Sequence, residues 1–249
     1  MKEKILELLK QVEKDYNVKI LFAVESGSRS WGFPSEDSDY DVRAVHIGSP
    51  ERYLGLNHPP NEIEFFPDTK PKIDIVSWDI KKFAKLFLAS NPTVSEWLES
   101  KIAYIESPYR KKLEKIFKNG FSRYTLKKHY VALSRGNYEK YIKNEDVVSL
   151  KKYIYILRGL ACVEYLLKES TMPPLNYKNV IGYLPKDMAK FMEEIVAKKQ
   201  RSEELKGRSN KDINKQIERY FAMEFEKTGS NFNKEQINDL VIEIIKSYK

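Results

Sequence analysis

The 249-residue sequence predicts an α+β fold: a mixed β-sheet with flanking helices over residues 1–120, then an all-helical domain over residues 121–249. Three observations lead there. Apolar residues alternate in short runs through the first half. From residue 121 onward only helical spacing is found. The charge also divides: residues 1–120 hold 19 Lys and Arg against 19 Asp and Glu, whereas residues 121–249 hold 25 against 17.

The elements follow in order. MKEKILELLKQVEKDY is an amphipathic helix with acids among its bases, a pattern unlike a secretory signal. Strands are expected at about 18–25 and 39–47, separated by a glycine-serine turn and a loop, with a short helix around PERYLGL next. NEIEFFPDTKPKIDIVSW reads as a hairpin around a Pro-containing turn. Helices at about 79–89 and 92–100, the strand KIAYIE and a helix from Pro108 complete the first domain, with its boundary near Asn119-Gly120. Further helices are expected at 122–142, 147–168, 184–200, 209–226 and 233–247, with QRSEELKGRSNKD a surface loop or a fraying helix.

Composition narrows the class. Hydrophobic content of 41% and charged content of 32% describe a folded chain with a wet surface. No run approaches the roughly 18 apolar residues of a membrane span, so no membrane partner and a cytoplasmic setting are expected. Cys162 is the one cysteine and sits in an apolar helical pattern, as a small core residue would. Histidines 46 and 58 show no ligand spacing. The basic excess of the second half suits a phosphate-rich partner or a plain lysine coat.

The stretch ESGSRSWGFPSEDSDYDVRAVHI, residues 25–47, carries the chemistry. In a strand, Asp39 and Asp41 project from one side, and two carboxylates so close stay ionised only with a cation between them. Oxygen ligands of this kind favour Mg²⁺, which takes one or two carboxylates plus phosphates and water. Asp74, flanked by Ile73 and Ile75, is costly in a strand unless its face of the sheet is a site. If that strand pairs beside 39–47, all three acids converge, and Arg43 and Lys72 line the same face. Gly27-Ser28 follows directly on a strand, where a small hydroxyl, backbone amides and a glycine permitting close approach can cradle phosphate. Asp37 and Glu36 read as solvated loop residues, and Glu64 as an exposed strand residue.

Gly27-Ser28, ten intervening residues, Asp39-x-Asp41 and the later strand Asp74 resemble the nucleotidyltransferase superfamily that includes DNA polymerase beta. GSRSWGFPSEDSDYDVR and SLKKYIYILRGLACVEYLL are similar, more narrowly, to nucleotidyltransferases associated with RNA ligases in repair. The resemblance implies a nucleotidyltransferase-type sheet in a catalytic domain over residues 1–120. It also implies a nucleotide- and acceptor-binding role for residues 121–249, with the site between the two. It further implies two Mg²⁺ ions, with Mn²⁺ as a substitute, and transfer of a nucleoside monophosphate from an NTP such as ATP with release of pyrophosphate. On that reading Asp39 and Asp41 coordinate both metals, while Asp74 binds the catalytic one and helps deprotonate the acceptor hydroxyl. Gly27 and Ser28 hold phosphates, and Arg29 or Arg43 counters charge on the leaving group. Lys151, Tyr155 and Arg158 share one helix face at i, i+4, i+7 and would hold the nucleotide from the helical half. Residues 121–160 carry nine bases, three acids and six tyrosines, a composition suited to an RNA end as acceptor and equally to helix packing. Two other classes stay open: a catalytically silent nucleic-acid-binding or regulatory protein on the same fold, and an enzyme modifying a protein or small molecule. Neither the nucleotide nor the oligomeric state is legible.

Overall fold

Helix α1 (Lys2–Tyr16) opens the chain in the computed structural model, which describes residues 1–248. Its apolar positions Ile5, Leu9 and Val12 fall at helical spacing and are fully buried. They close over one face of a five-stranded sheet made of β1 (Lys19–Glu25), β2 (Tyr40–Ile47), β3 (Glu62–Phe65), β4 (Ile73–Asp79) and β5 (Ala103–Ile105). The spatial order is β3-β4-β2-β1-β5, with β2 and β4 parallel and every other pairing antiparallel. The mixed sheet and the β3–β4 hairpin thus stand where the alternating runs place them.

Side-chain parity assigns the two faces. Val42, Ala44, Ile63, Ile73 and Ile75 join the α1-side core, each valine or isoleucine burial worth a gross ~1.5–3 kcal/mol before chain entropy is counted. Their neighbours Asp41, Arg43 and Asp74 therefore point to the opposite face. An irregularity in β1 between Ile20 and Phe22 shifts that strand's parity, so Ile20 and Ala23 face α1 while Phe22 packs edge-on against Phe83 at 5.8 Å. The aromatic side is supplied by α4 (Ile80–Leu88) and α5 (Pro92–Glu99), where Trp97 lies 4.1 Å from Trp78, centroid to centroid. Short helices α2 (Gly27–Trp31) and α3 (Pro50–Leu54) follow β1 and β2, and α6 (Pro108–Gly120) begins at its proline, capped by Ser107.

The chain groups into two units by its internal contacts. The first holds Met1–Ser30, Ser38–Phe121 and the segment from Ser230 onward; the second holds Trp31–Asp37 and Ser122–Gly229. The sequence reading placed residues 121–249 together, whereas the last helix, α11 (Lys234–Lys246), packs on α4 in the sheet unit. Aromatic burial explains the return: Phe232 sits 4.9 Å from Phe87 and 5.7 Å from Phe117, and the Asn231 amide donates to the Gly120 carbonyl at 2.8 Å.

In the second unit α7 (Arg123–Tyr141) and α8 (Leu150–Lys168) are the central pair. Gly159 permits their approach, since a Cβ there would meet Ser134 Oγ at 2.5 Å. Cys162 is buried in α8 as expected. Helices α9 (Lys186–Gln200) and α10 (Lys211–Phe221) pack around them. Helical periodicity missed one feature: β6 (Val147–Ser149) pairs antiparallel with β7 (Lys206–Arg208), inside the stretch read as a loop or frayed helix. Three-residue strands are too short to show alternation. For the same reason α8 starts at Leu150 rather than at 147.

Candidate active site

Glu25 ends β1, and α2 begins two residues later at Gly27, with φ of +59°. A Cβ at Gly27 would lie 2.1 Å from Asp41 Oδ2, so only glycine fits beside this carboxylate. Asp41 is the second residue of β2, and in the parallel β2–β4 ladder its register partner is Asp74. The two carboxylates therefore stand side by side on adjacent strands, on the face away from α1. Convergence of Asp41 and Asp74, expected if the strands paired, is what the register produces.

Asp39 stands differently. The strand begins at Tyr40, so Asp39 belongs to the preceding loop and is exposed. The Arg29 guanidinium holds this loop: Nη2 donates to the Ser38 carbonyl at 2.7 Å, Nε donates to the Asp39 carbonyl at 3.2 Å, and the group stacks 3.8 Å from the Tyr40 ring centroid. Ser28 Oγ donates to Ser38 Oγ at 3.3 Å. Arg29 and Ser28 thus join the turn to the acidic loop. Helix α2 is a single five-residue turn.

Two cations line the acidic face. Arg43 Nη2 donates to Asp41 Oδ1 at 3.0 Å, and its Nη1 donates to the Asp74 carbonyl at 3.1 Å. Lys72 Nζ lies 3.6 Å from Asp74 Oδ1, beyond hydrogen-bonding reach, and that buried oxygen accepts no hydrogen bond among the described residues. Also among the described residues, no group of three or more His, Cys, Asp and Glu side chains stands ready to hold a metal. What exists is a carboxylate pair, one oxygen buried without a donor and another set against a glycine. An all-oxygen pair of this kind fits a hard divalent cation that completes its shell with phosphate and water. Glu64, as read, is an exposed strand residue.

The sequence reading missed Glu25 and Tyr104. Glu25 is 1% exposed. Its Oε1 accepts the Asp41 amide at 2.8 Å, and its Oε2 accepts the Tyr104 hydroxyl. Burial above all raises the Glu25 pKa, and the charge of Asp41 adds to that; the hydrogen bonds from Tyr104 and the Asp41 amide act the other way. Burial and the Glu25 contact likewise push the Tyr104 hydroxyl up. One signal was legible: an acid closes the apolar strand ILFAVE immediately before the glycine turn.

Within the helical unit, Lys151, Tyr155 and Arg158 do line one side of α8 but differ in exposure. Lys151 is exposed and Tyr155 half-buried, with their side chains 6.0 Å apart, ammonium to ring centroid. Arg158 is 4% exposed, stacks 4.3 Å from the Trp31 ring and donates from Nη2 to the Leu175 carbonyl at 3.2 Å. Trp31 in turn meets Tyr155 edge-on at 5.7 Å. Tyr130, Tyr138 and Tyr153 are buried, and Tyr138 and Tyr153 spend their hydroxyls on Glu218 and Asn214. Packing therefore accounts for half of the six tyrosines between residues 121 and 160.

Among the described residues no helix is long and apolar enough to cross a membrane. The chain is 35% identical over 230 residues to a Bacillus subtilis (strain 168) protein named Uncharacterized protein YcgL, covering 91% of this chain and 86% of that one. A crystal structure of a nucleotidyltransferase-like protein from Exiguobacterium sibiricum 255-15 aligns with 95% of this chain and 75% of its own, at 13% identity and a TM-score of 0.33. The model of one family matches residues 1–243, taking in the glycine turn, the paired aspartates and both units. The chain belongs to the RNA repair pathway DNA polymerase beta family, a nucleotidyltransferase-like family of the polymerase beta superfamily.

Proposed function

We propose that the protein is a metal-dependent nucleotidyltransferase that moves a nucleoside monophosphate from an NTP to an acceptor hydroxyl, with an RNA end as that acceptor. One observation carries the reading: Asp41 and Asp74 are register partners on parallel strands, and Asp41 is set against a glycine turn that admits nothing larger. Asp41 and Asp74, with Asp39 at the strand mouth, would hold two divalent cations, Mg²⁺ or Mn²⁺. When bound, such ions offset phosphate charge and lower the pKa of a coordinated hydroxyl.

The chain's own residues divide the remaining work. Gly27 keeps the turn clear of the Asp41 carboxylate, and the Ser28 hydroxyl, bonded here to Ser38 Oγ, would turn from that partner to donate to a phosphate. Arg43 places a guanidinium on the acidic face, where it counters charge developing on the leaving pyrophosphate. Asp74, whose side chain is 23% exposed, would accept the acceptor's proton. Arg29 keeps the loop carrying Asp39 in place. Within the helical unit Lys151 and Tyr155 present a cation and a ring, and Arg158 holds Trp31 beside Tyr155.

The acceptor reading is supported by the family's RNA repair description and by the basic excess of residues 121–249. The test incubates the protein with each labelled NTP and Mg²⁺ against RNA, protein extract and small hydroxyl compounds. Label should pass to RNA and be lost in Asp41→Ala; transfer at the wild-type level by Asp41→Ala overturns the site. RNA affinity should fall with salt at a slope of about −0.7 per phosphate neutralised. Binding indifferent to salt removes RNA and leaves a protein or small molecule as acceptor. No transfer to anything, with RNA still bound, identifies a silent binding protein.

A further inference from the structure

The peptide of Asp41 is held from both sides. Its carbonyl accepts the Ser26 amide at 2.8 Å, as in an antiparallel ladder, but its amide donates to the Glu25 side chain at 2.8 Å. A carboxylate has taken the place of the ladder carbonyl where β1 leaves the sheet to form the glycine turn. Glu25 shares the parity of Ala23 and so comes from the α1 side, where Tyr104 is packed against the core. The Asp41 carboxylate projects from the other side.

Three further bonds immobilise Glu25. Tyr104 on β5 donates to its second oxygen, the Glu25 amide donates to the Ile102 carbonyl at 2.9 Å, and Ser100 Oγ lies 2.7 Å from the Glu25 carbonyl. Ser100 Oγ is also 2.9 Å from Ser30 Oγ on α2, so the same group touches the far end of the glycine turn. Sheet formation alone does not call for a carboxylate here, because burying one is expensive and an ordinary ladder bond would satisfy the Asp41 amide.

We propose that Glu25, braced by Tyr104, is a positioning pair that sets the Asp41 peptide, and with it the Asp41 carboxylate, for a divalent cation. The inference rests on the reading of Asp41 as a metal-binding residue. Partners of this kind, one shell behind a ligand, typically change metal affinity 10–100-fold when removed. A glutamine retains an acceptor for the Asp41 amide, and its NH₂ can donate to the Tyr104 oxygen. A leucine removes both contacts at similar bulk.

The test titrates Mn²⁺ alone into the full chain, read by electron paramagnetic resonance, beside thermal melts of each variant. Glu25→Leu should bind Mn²⁺ about 10–100-fold more weakly than wild type, and Glu25→Gln should stay within about threefold. A folded Glu25→Leu with wild-type affinity overturns the pairing, as does a Glu25→Gln as weak as Glu25→Leu. Should Glu25→Leu not fold, Tyr104→Phe decides: weakened Mn²⁺ binding in a protein that melts normally supports the brace, and unchanged binding overturns it. Asp41→Asn separates the two readings. Mn²⁺ bound by wild type but lost in Asp41→Asn and kept in the Glu25 variants sinks the positioning pair alone, while no Mn²⁺ binding by wild type sinks the metal reading with it.

Discussion

A Cβ on Gly27 would stand 2.1 Å from Oδ2 of Asp41, well inside van der Waals contact, and the glycine's φ of +59° lies where side chains are strained. Turn and carboxylate are therefore one device: neither can change without moving the other. Gly27→Ala should lower nucleotidyl transfer by about 100-fold, in line with a misplacement near 1 Å, and should cost about 1–3 kcal/mol of stability. Steady-state transfer and a denaturant melt measure both. Wild-type rates in Gly27→Ala would show that the turn is only a loop.

Asp74 sets stability against function. Its Oδ1 is buried without a hydrogen bond and has only a distant lysine for company. Asp74→Asn, which removes a carboxylate whose buried oxygen has only Lys72 at 3.6 Å, should raise stability by about 1 kcal/mol while abolishing transfer. A destabilised variant would mean that the Lys72 pair contributes more than its 3.6 Å separation implies.

Arg43 is expected to behave in the opposite sense. Its pair with Asp41 is partly solvated, with side-chain exposures of 21% and 28%, so Arg43→Ala should cost less than about 1 kcal/mol of stability. Loss of a donor aimed at developing charge should lower turnover at least tenfold. Comparison of kcat with the melting temperature separates the two effects, and a proportionate loss of both would make Arg43 a structural residue.

His46 gives the stability a pH dependence. It is fully buried, with Nε2 placed on the Pro60 carbonyl at 2.9 Å and Nδ1 on the Ser77 hydroxyl at 2.8 Å. The carbonyl can only accept, so Nε2 carries the proton and Nδ1 accepts from Ser77. Burial chiefly holds its pKa below the ordinary value, although the Pro60 contact and the charge of Asp79 oppose that. Below about pH 6.5 the unfolded chain then binds a proton that the folded chain refuses, so stability is present above that pH and is lost as pH falls. Urea midpoints at pH 7.5 and 5.5 should differ more for wild type than for His46→Gln; equal differences would assign the loss to other groups.

The basic residues of the helical unit separate by burial. Lys127 is 9% exposed and lies 4.9 Å from the Phe225 ring, and burial lowers its pKa. Lys128 is exposed. Lys128→Ala should leave the melting temperature unchanged and reduce the salt slope of RNA binding by roughly 0.7, as the loss of one single-strand phosphate contact does. Lys127→Ala should lower stability first. An unchanged slope in Lys128→Ala would place the RNA elsewhere on the unit.

The sequence by itself determined the elements whose signals are local. Alternation marked β2 and β4, period 3.6 marked α1, and glycine, serine and spaced aspartates marked the turn and its acids, because each signal lies within a few residues. Tertiary structure alone decided three things. Parallel pairing of β2 with β4 put Asp41 beside Asp74, and strand order is set by packing between segments some thirty residues apart. The register began β2 at Tyr40 and left Asp39 in the loop before it, since boundary residues answer to pairing partners rather than to their own propensity. Glu25 met Tyr104 across 79 positions of sequence, a contact that no spacing rule could contain because it exists only once β1 and β5 share a sheet.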